Sequence, residues 1–168
     1  NYLLKTTQTP SDLFVLFSPI KKTRTEFIIE KCVELGVKTL IPVICDYTNI
    51  NSFNQNRIKK IMVNSVQQCG STWMPNLLSF NKLENVLKDW NPKRNLFFCD
   101  EKLTGDPILK VLNKFNYTKA AILVGPEGGF SKKEISIINN LSFVKKVSLG
   151  KQILRAETAV ISAVSIWQ

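Results

Sequence analysis

The chain has 168 residues, 44% hydrophobic and 21% charged, a length and balance suited to one folded domain rather than a disordered segment. Its apolar runs, such as Ala120–Val124, are far shorter than a membrane span, and the amino-terminal stretch lacks the apolar core of a signal peptide. Lys and Arg outnumber Asp and Glu by 23 to 13, a net charge of +10 that favours an anionic partner such as nucleic acid. Histidine is absent, which excludes Ser-His-Asp and Cys-His catalysis and histidine-held metals. Chemistry must then rest on carboxylates, Arg, Lys, hydroxyls, backbone donors or a cofactor. Cys32, Cys45, Cys69 and Cys99 form no CxxC pair, sit among apolar neighbours, and read as reduced core residues of a cytosolic protein.

Residues 1–9 are polar, end at Pro10, and read as the tail of something upstream. Phe14–Phe17 is the first predicted strand. Thr23-Arg24-Thr25-Glu26 has the spacing of a capping box and predicts a helix with Ile28, Cys32 and Leu35 on its inner face and Gly36 as its stop. Leu40–Ile44 is the next strand, with Pro42 predicting an edge position because proline lacks a ladder donor. Arg57–Gln68 is helical, with Ile58, Ile61, Met62 and Ser65 along one side, and ends at Cys69-Gly70. Asn95–Cys99, Ala120–Val124 and Val144–Leu149 are further strands, separated by helices at Asp106–Phe115 and Lys132–Asn140; a last helix starts near Arg155. Strands apolar on both faces and alternating with helices define an α/β fold, with a mostly parallel sheet covered on both sides.

Ligands of such sheets collect at the carboxyl ends of the strands. Those ends carry Asp100-Glu101, then Gly125-Pro126-Glu127-Gly128-Gly129-Phe130, then Gly150-Lys151-Gln152-Ile153-Leu154-Arg155. The glycines allow positive φ and close approach of a ligand to bare backbone, and Ser131-Lys132-Lys133-Glu134 follows as a second capping box. This spacing also fits an ordinary strand-to-helix turn; it is neither GxGxxG nor a P-loop. Ile153 and Leu154 are large apolar residues in a loop, where they either staple it to the core or wall a flat heterocycle. Arg155 and Glu157 follow at a helix start, where a cation opposes the macrodipole.

Leu123-Val124-Gly125-Pro126-Glu127-Gly128-Gly129-Phe130-Ser131, followed by Leu149-Gly150 and Ile153-Leu154-Arg155-Ala156-Glu157-Thr158-Ala159, closely resembles the RsmE family of SPOUT-class methyltransferases. Weaker agreement runs through Glu30–Val37, Gln67-Gln68-Cys69-Gly70 and Pro75, so the resemblance covers the chain from Asp12 onward. It implies methylation of uridine N3 in bacterial small-subunit (16S) ribosomal RNA, a deep trefoil knot in the carboxyl-terminal part, and a cytoplasmic homodimer with no membrane association. The partner it implies is the ribosomal RNA or the assembled small subunit. It further implies that residues 1–9 are the trailing edge of an RNA-binding barrel similar to PUA domains, with residues 10–168 forming the methyltransferase domain.

S-adenosylmethionine, with no metal, is the cofactor the resemblance implies, held by Val124, Gly125, Gly128, Gly129, Leu149, Gly150, Ile153, Leu154 and Thr158. Among the candidate catalytic residues, Arg155 would stabilise charge on the uracil oxygens, Glu157 would orient that guanidinium or act as base, and Glu127 would order the glycine loop through backbone N–H groups. The chain departs from the family at Ser71 and Trp73, where basic residues are usual, and also at Ala156 and Gln67. Two alternatives stand beside this reading: a non-catalytic RNA-binding protein that keeps the fold, which the departures at Ser71 and Trp73 fit, and a SPOUT enzyme acting on transfer RNA.

Overall fold

The structure is a computed structural model and describes residues 10–114 and 118–168; the expectation for residues 1–9 lies outside the described residues. The elements in order are β1 (Ser11–Phe17), α1 (Lys22–Glu34), β2 (Val37–Ile44), α2 (Gln55–Cys69), β3 (Asn76–Leu77), β4 (Asn81–Lys82), α3 (Leu83–Lys88) and β5 (Asn95–Cys99). They continue with β6 (Asp106–Pro107), α4 (Ile108–Leu112), β7 (Ala120–Val124), α5 (Lys132–Asn139), β8 (Val144–Ser148) and α6 (Ala156–Trp167). All paired strands run parallel, in the order β3-β2-β1-β7-β5-β8-β6, with β4 beside the far end of β2. The α/β class read from the sequence is the one observed.

Alternation along each strand builds two cores. Ala120, Ile122 and Val124 of β7 face one side, where α1, α2, α4 and α6 pack; Ala121 and Leu123 face the other, against α3 and α5. The central strand β7 is buried along its whole length, which explains its unbroken apolar sequence.

Four expectations need correction. Thr23–Glu26 forms no capping box, because α1 starts at Lys22 with Lys21 as an N-cap that has no side-chain bond. Thr25 instead closes the turn before the helix, its hydroxyl donating to the Ile20 carbonyl and accepting from the Ile20 N–H, each at 2.9 Å. Pro42 does not place β2 at an edge: β1 pairs along one side, while β3 and β4 pair with Thr39-Leu40 and Val43-Ile44 on the other, leaving Pro42 in the gap between them. Cys69 is exposed at the end of α2, not in the core. Burial pushes the thiols of Cys45 and Cys99 up to about 12, so those two are protonated and inert near neutral pH. The expected helix from Asp106 is shorter, since Asp106-Pro107 pairs with β8; Phe115 lies outside the described residues.

Candidate functional site

The three segments singled out at strand ends converge. Asp100-Glu101 after β5, Val124–Gly129 at the end of β7, and Leu149 with Gln152–Ala156 at the start of α6 enclose one cavity of about 350 Å³ at the carboxyl edge of the sheet. The β7 loop holds its shape through a turn, the Gly129 N–H donating to the Pro126 carbonyl at 2.9 Å, with Gly129 at φ +72°. A Cβ at Gly129 would overlap the Glu101 carboxylate, and one at Gly125 would overlap the Phe130 ring. Neither position admits a side chain, because Glu101 and Phe130 already fill the space. Ser131 and Glu134 form the expected reciprocal capping box, fixing where this loop turns into α5.

Ile153 projects into solvent with 74% of its surface exposed, and partly buried Leu154 continues the same apolar wall. Of the residues named for a cofactor, Val124, Gly125, Gly128, Gly129, Leu149, Ile153 and Leu154 line the cavity. Gly150 and Thr158 are exposed outside the lining, Gly150 at φ +147° with open space around it. Inside the cavity, burial pushes the Glu101 carboxyl above its usual range against the N–H of Phe130. Burial also raises Asp100, yet the Thr104 hydroxyl, the backbone N–H groups of Lys102 and Thr104, and Lys146 outweigh it and hold that carboxyl below its usual range.

Arg155 is the N-cap residue of α6, exposed and on the cavity wall; among the described residues it makes no ion pair. Glu157 turns to a different arginine. Arg24, from the first turn of α1, pairs through Nη1 with Glu127 and places its Nε 3.6 Å from Glu157. Glu127 is thus held by a guanidinium, and among the described residues it accepts no backbone N–H of its own loop, contrary to expectation. Glu157 is mostly buried, and its Oε2 has no hydrogen-bond partner among the described residues.

Sequence reasoning missed Arg24. A signal was there: α1 has no acid in its first turn and carries Lys22 and Arg24 against the macrodipole, the same anomaly that drew attention to Arg155. No cluster of His, Cys, Asp and Glu able to hold a metal occurs among the described residues.

A parallel α/β sheet with a glycine-lined, partly apolar cavity at its carboxyl edge defines a protein that binds a small ligand there. Over residues 7–168 the chain matches the RNA methyltransferase domain family, and it belongs to that family. The resemblance read from the two loops is borne out by relatives named "Ribosomal RNA small subunit methyltransferase E". One, from Rickettsia conorii, is 29% identical over 162 residues, 96% of this chain and 66% of the relative. Another, from Buchnera aphidicola, is 32% identical over 159 residues, 88% of this chain and 61% of the relative. The chain therefore spans about two thirds of the length of these relatives. Among solved structures, the Neisseria gonorrhoeae protein of the same name, bound to S-adenosyl methionine, superposes with a TM-score of 0.82 at 25% identity. That alignment covers 95% of this chain and 66% of the other.

Proposed function

We propose that this chain is the methyl-transferring domain of a ribosomal RNA small-subunit methyltransferase, acting on N3 of a uridine in 16S ribosomal RNA with S-adenosylmethionine as donor. The observation that supports it most is the convergence of both motif loops on one cavity, in a chain similar to a protein solved with that donor. The cavity suits the donor: Ile153 and Leu154 offer an apolar wall for an adenine, opposite the glycine-rich loop after β7. Val124, Gly125, Gly128, Gly129 and Leu149 would hold it from the loop backbones.

Bound there, S-adenosylmethionine supplies an electrophilic methyl group on a sulfonium. The chain must do the rest. Uridine N3 is a poor nucleophile until its proton leaves, and the resulting negative charge spreads onto the two flanking oxygens. Arg155 stands on the cavity wall with its guanidinium free of carboxylates among the described residues, ready to donate to those oxygens. Glu157, mostly buried beside Arg24 and outside the cavity lining, stands behind that wall, where it would position the first turn of α6 or take the N3 proton once the site is occupied. Arg24, one cation between the two carboxylates of Glu127 and Glu157, ties the β7 loop to α6. A knotted carboxyl-terminal segment, a homodimer and a cytoplasmic location are parts of the same proposal.

Calorimetric titration with S-adenosylmethionine, followed by mass spectrometry of nucleosides from treated small-subunit ribosomal RNA, tests this reading. Specific heat and N3-methyluridine are expected. RNA binding without cofactor heat would identify a non-catalytic RNA-binding protein, and methylation confined to transfer RNA would assign a different substrate.

A further inference from the structure

A second and larger groove, of about 850 Å³, lies beside the cofactor cavity and shares Pro126, Glu127 and Gly128 with it. Its other walls come from the segments after β1 and β2, notably Lys21, Tyr47 and Asn49, so it occupies the neighbouring stretch of the same carboxyl edge. The β7 loop is the partition between the two.

Tyr47 is the odd residue there. Its side chain is 53% exposed, yet the backbone around it is clamped. The Thr48 hydroxyl accepts from the Cys45 N–H at 2.8 Å and shares a hydrogen bond with the Ser18 hydroxyl at 2.6 Å, and the Asp46 N–H donates to buried Glu134 at 2.9 Å. An aromatic ring fixed at its root and bare at its face is a stacking platform rather than an unpacked core residue. Gly128 meets this side chain directly: a Cβ there would lie 3.3 Å from the Tyr47 Cβ, so the motif glycine makes room for the tyrosine. The charge that favours an anionic strand is that of the chain as a whole, +10, with Lys21 exposed on one wall of the groove; Glu127 on the partition is paired with Arg24, and Asp46 also borders the groove.

The geometry points to this groove as the seat of the single-stranded RNA substrate, with a nucleobase stacked on Tyr47 and a phosphate near Lys21, across the β7 loop from the methyl donor. The assignment rests on the methyltransferase reading above, since donor and acceptor must meet at the shared loop. It is tested by fluorescence anisotropy with a fluorescein-labelled, uridine-rich RNA strand, alongside calorimetry with S-adenosylmethionine and thermal melting on the same proteins. Tyr47→Phe keeps the aromatic face and should bind RNA as the parent does. Tyr47→Leu keeps an apolar cover over Gly128 but no π-face, and should bind about tenfold to a hundredfold more weakly, with cofactor affinity and melting unchanged. Lys21→Ala should lower the slope of log affinity against log salt by about 0.7, the value for one phosphate contact on a single strand. Unaltered RNA affinity in Tyr47→Leu, or no RNA binding by the parent, overturns the assignment. Equal loss of RNA and cofactor by Tyr47→Leu overturns it too, because the tyrosine would then act only through the β7 loop. A parent that binds RNA but gives no cofactor heat instead defeats the methyltransferase reading, and the tyrosine comparison still reports on the groove.

Discussion

Arg155 and Arg24 show how differently two cations of one site are readable. Both sit where a helix start disfavours positive charge, but only Arg155 lies inside a motif loop, so only Arg155 was singled out. The Arg24 contact reaches Glu127 across 103 positions of sequence, and no local spacing rule carries that information. The two also differ in what removal should do. Arg155→Ala should leave S-adenosylmethionine affinity nearly unchanged while single-turnover methyl transfer slows on the order of a hundredfold to a thousandfold, the usual loss for one preorganised donor. Arg155→Lys should recover little, since an ammonium cannot present a planar fork to two oxygens. Weaker cofactor binding with an unchanged chemical rate would make Arg155 a binding residue instead. Gly129→Val should act on the other limb: φ +72° is strained for a β-branched residue, and its side chain would displace Glu101 from the cavity. Lost cofactor heat with an intact circular dichroism spectrum is expected; normal binding would remove Gly129 from the site.

Helices and strands were legible in proportion to their length and burial. Asn95–Cys99 and Ala120–Val124 match the observed β5 and β7, because an apolar run between polar breakers has few other uses. The two-residue strands β3, β4 and β6 and the short helix α3 carry no periodicity to detect, and pairing with a neighbour alone defines them. The two capping-box sequences are the sharper case. Ser131–Glu134 forms its box because Glu134 is buried and needs acceptor use: it takes the Ser131 N–H at 2.8 Å and the Asp46 N–H at 2.9 Å. Glu26 has a better partner in Arg57 across the groove between α1 and α2, with Nη2 to Oε2 at 2.7 Å, and that pair holds its carboxyl below the usual range. Ser131→Ala should therefore cost about 1 kcal/mol in urea denaturation. Thr23→Ala, which removes an exposed hydroxyl with no cap to make, should fall within about 0.5 kcal/mol of the parent. Equal costs would mean that Thr23 caps α1 in solution.

For the whole molecule, the sheet divides its labour by edge. Both cavities open at the carboxyl edge, where the β7 loop is glycine-rich and carboxylates range from buried Asp100 to exposed Glu127. The amino edge is stapled by Arg94, only 11% exposed, which donates to the carbonyls of Asp12 and Ala120 at 2.7 and 3.0 Å and to the Asp12 carboxylate at 3.0 Å. Its guanidinium also lies 3.6 Å from the centroid of the Phe14 ring. One side chain thus ties β1 and β7 together beside the start of β5. Nothing in its local sequence announces this, since an isolated arginine before a strand reads as a solvated loop.

Arg94→Met should take the Arg94 donors from two carbonyls, leave the Asp12 carboxylate to Lys38 alone, and cost about 2–4 kcal/mol. At roughly 2–4 °C per kcal/mol for a chain of this size, the fall in melting temperature is easily measured. Cofactor affinity below the transition should not change, because the lost bonds lie at the opposite edge from the cavity. The acid limb gives an independent check through Asp12. Burial raises its carboxyl, but hydrogen bonds from Arg94 and Lys38 outweigh burial and hold it below the usual range. A lowered folded-state value means that the ionised form stabilises the fold above the unfolded value of about 3.9, and that this contribution disappears as pH falls through the folded value. Asp12→Asn should therefore be less stable than the parent at neutral pH, with the gap closing below about pH 4. No gap at neutral pH would place the stapling in the Arg94 carbonyl bonds alone, a gap that persists undiminished into acid would show that the ionised carboxylate is not its source, and a mutant that also loses cofactor binding would show that the two edges are not independent.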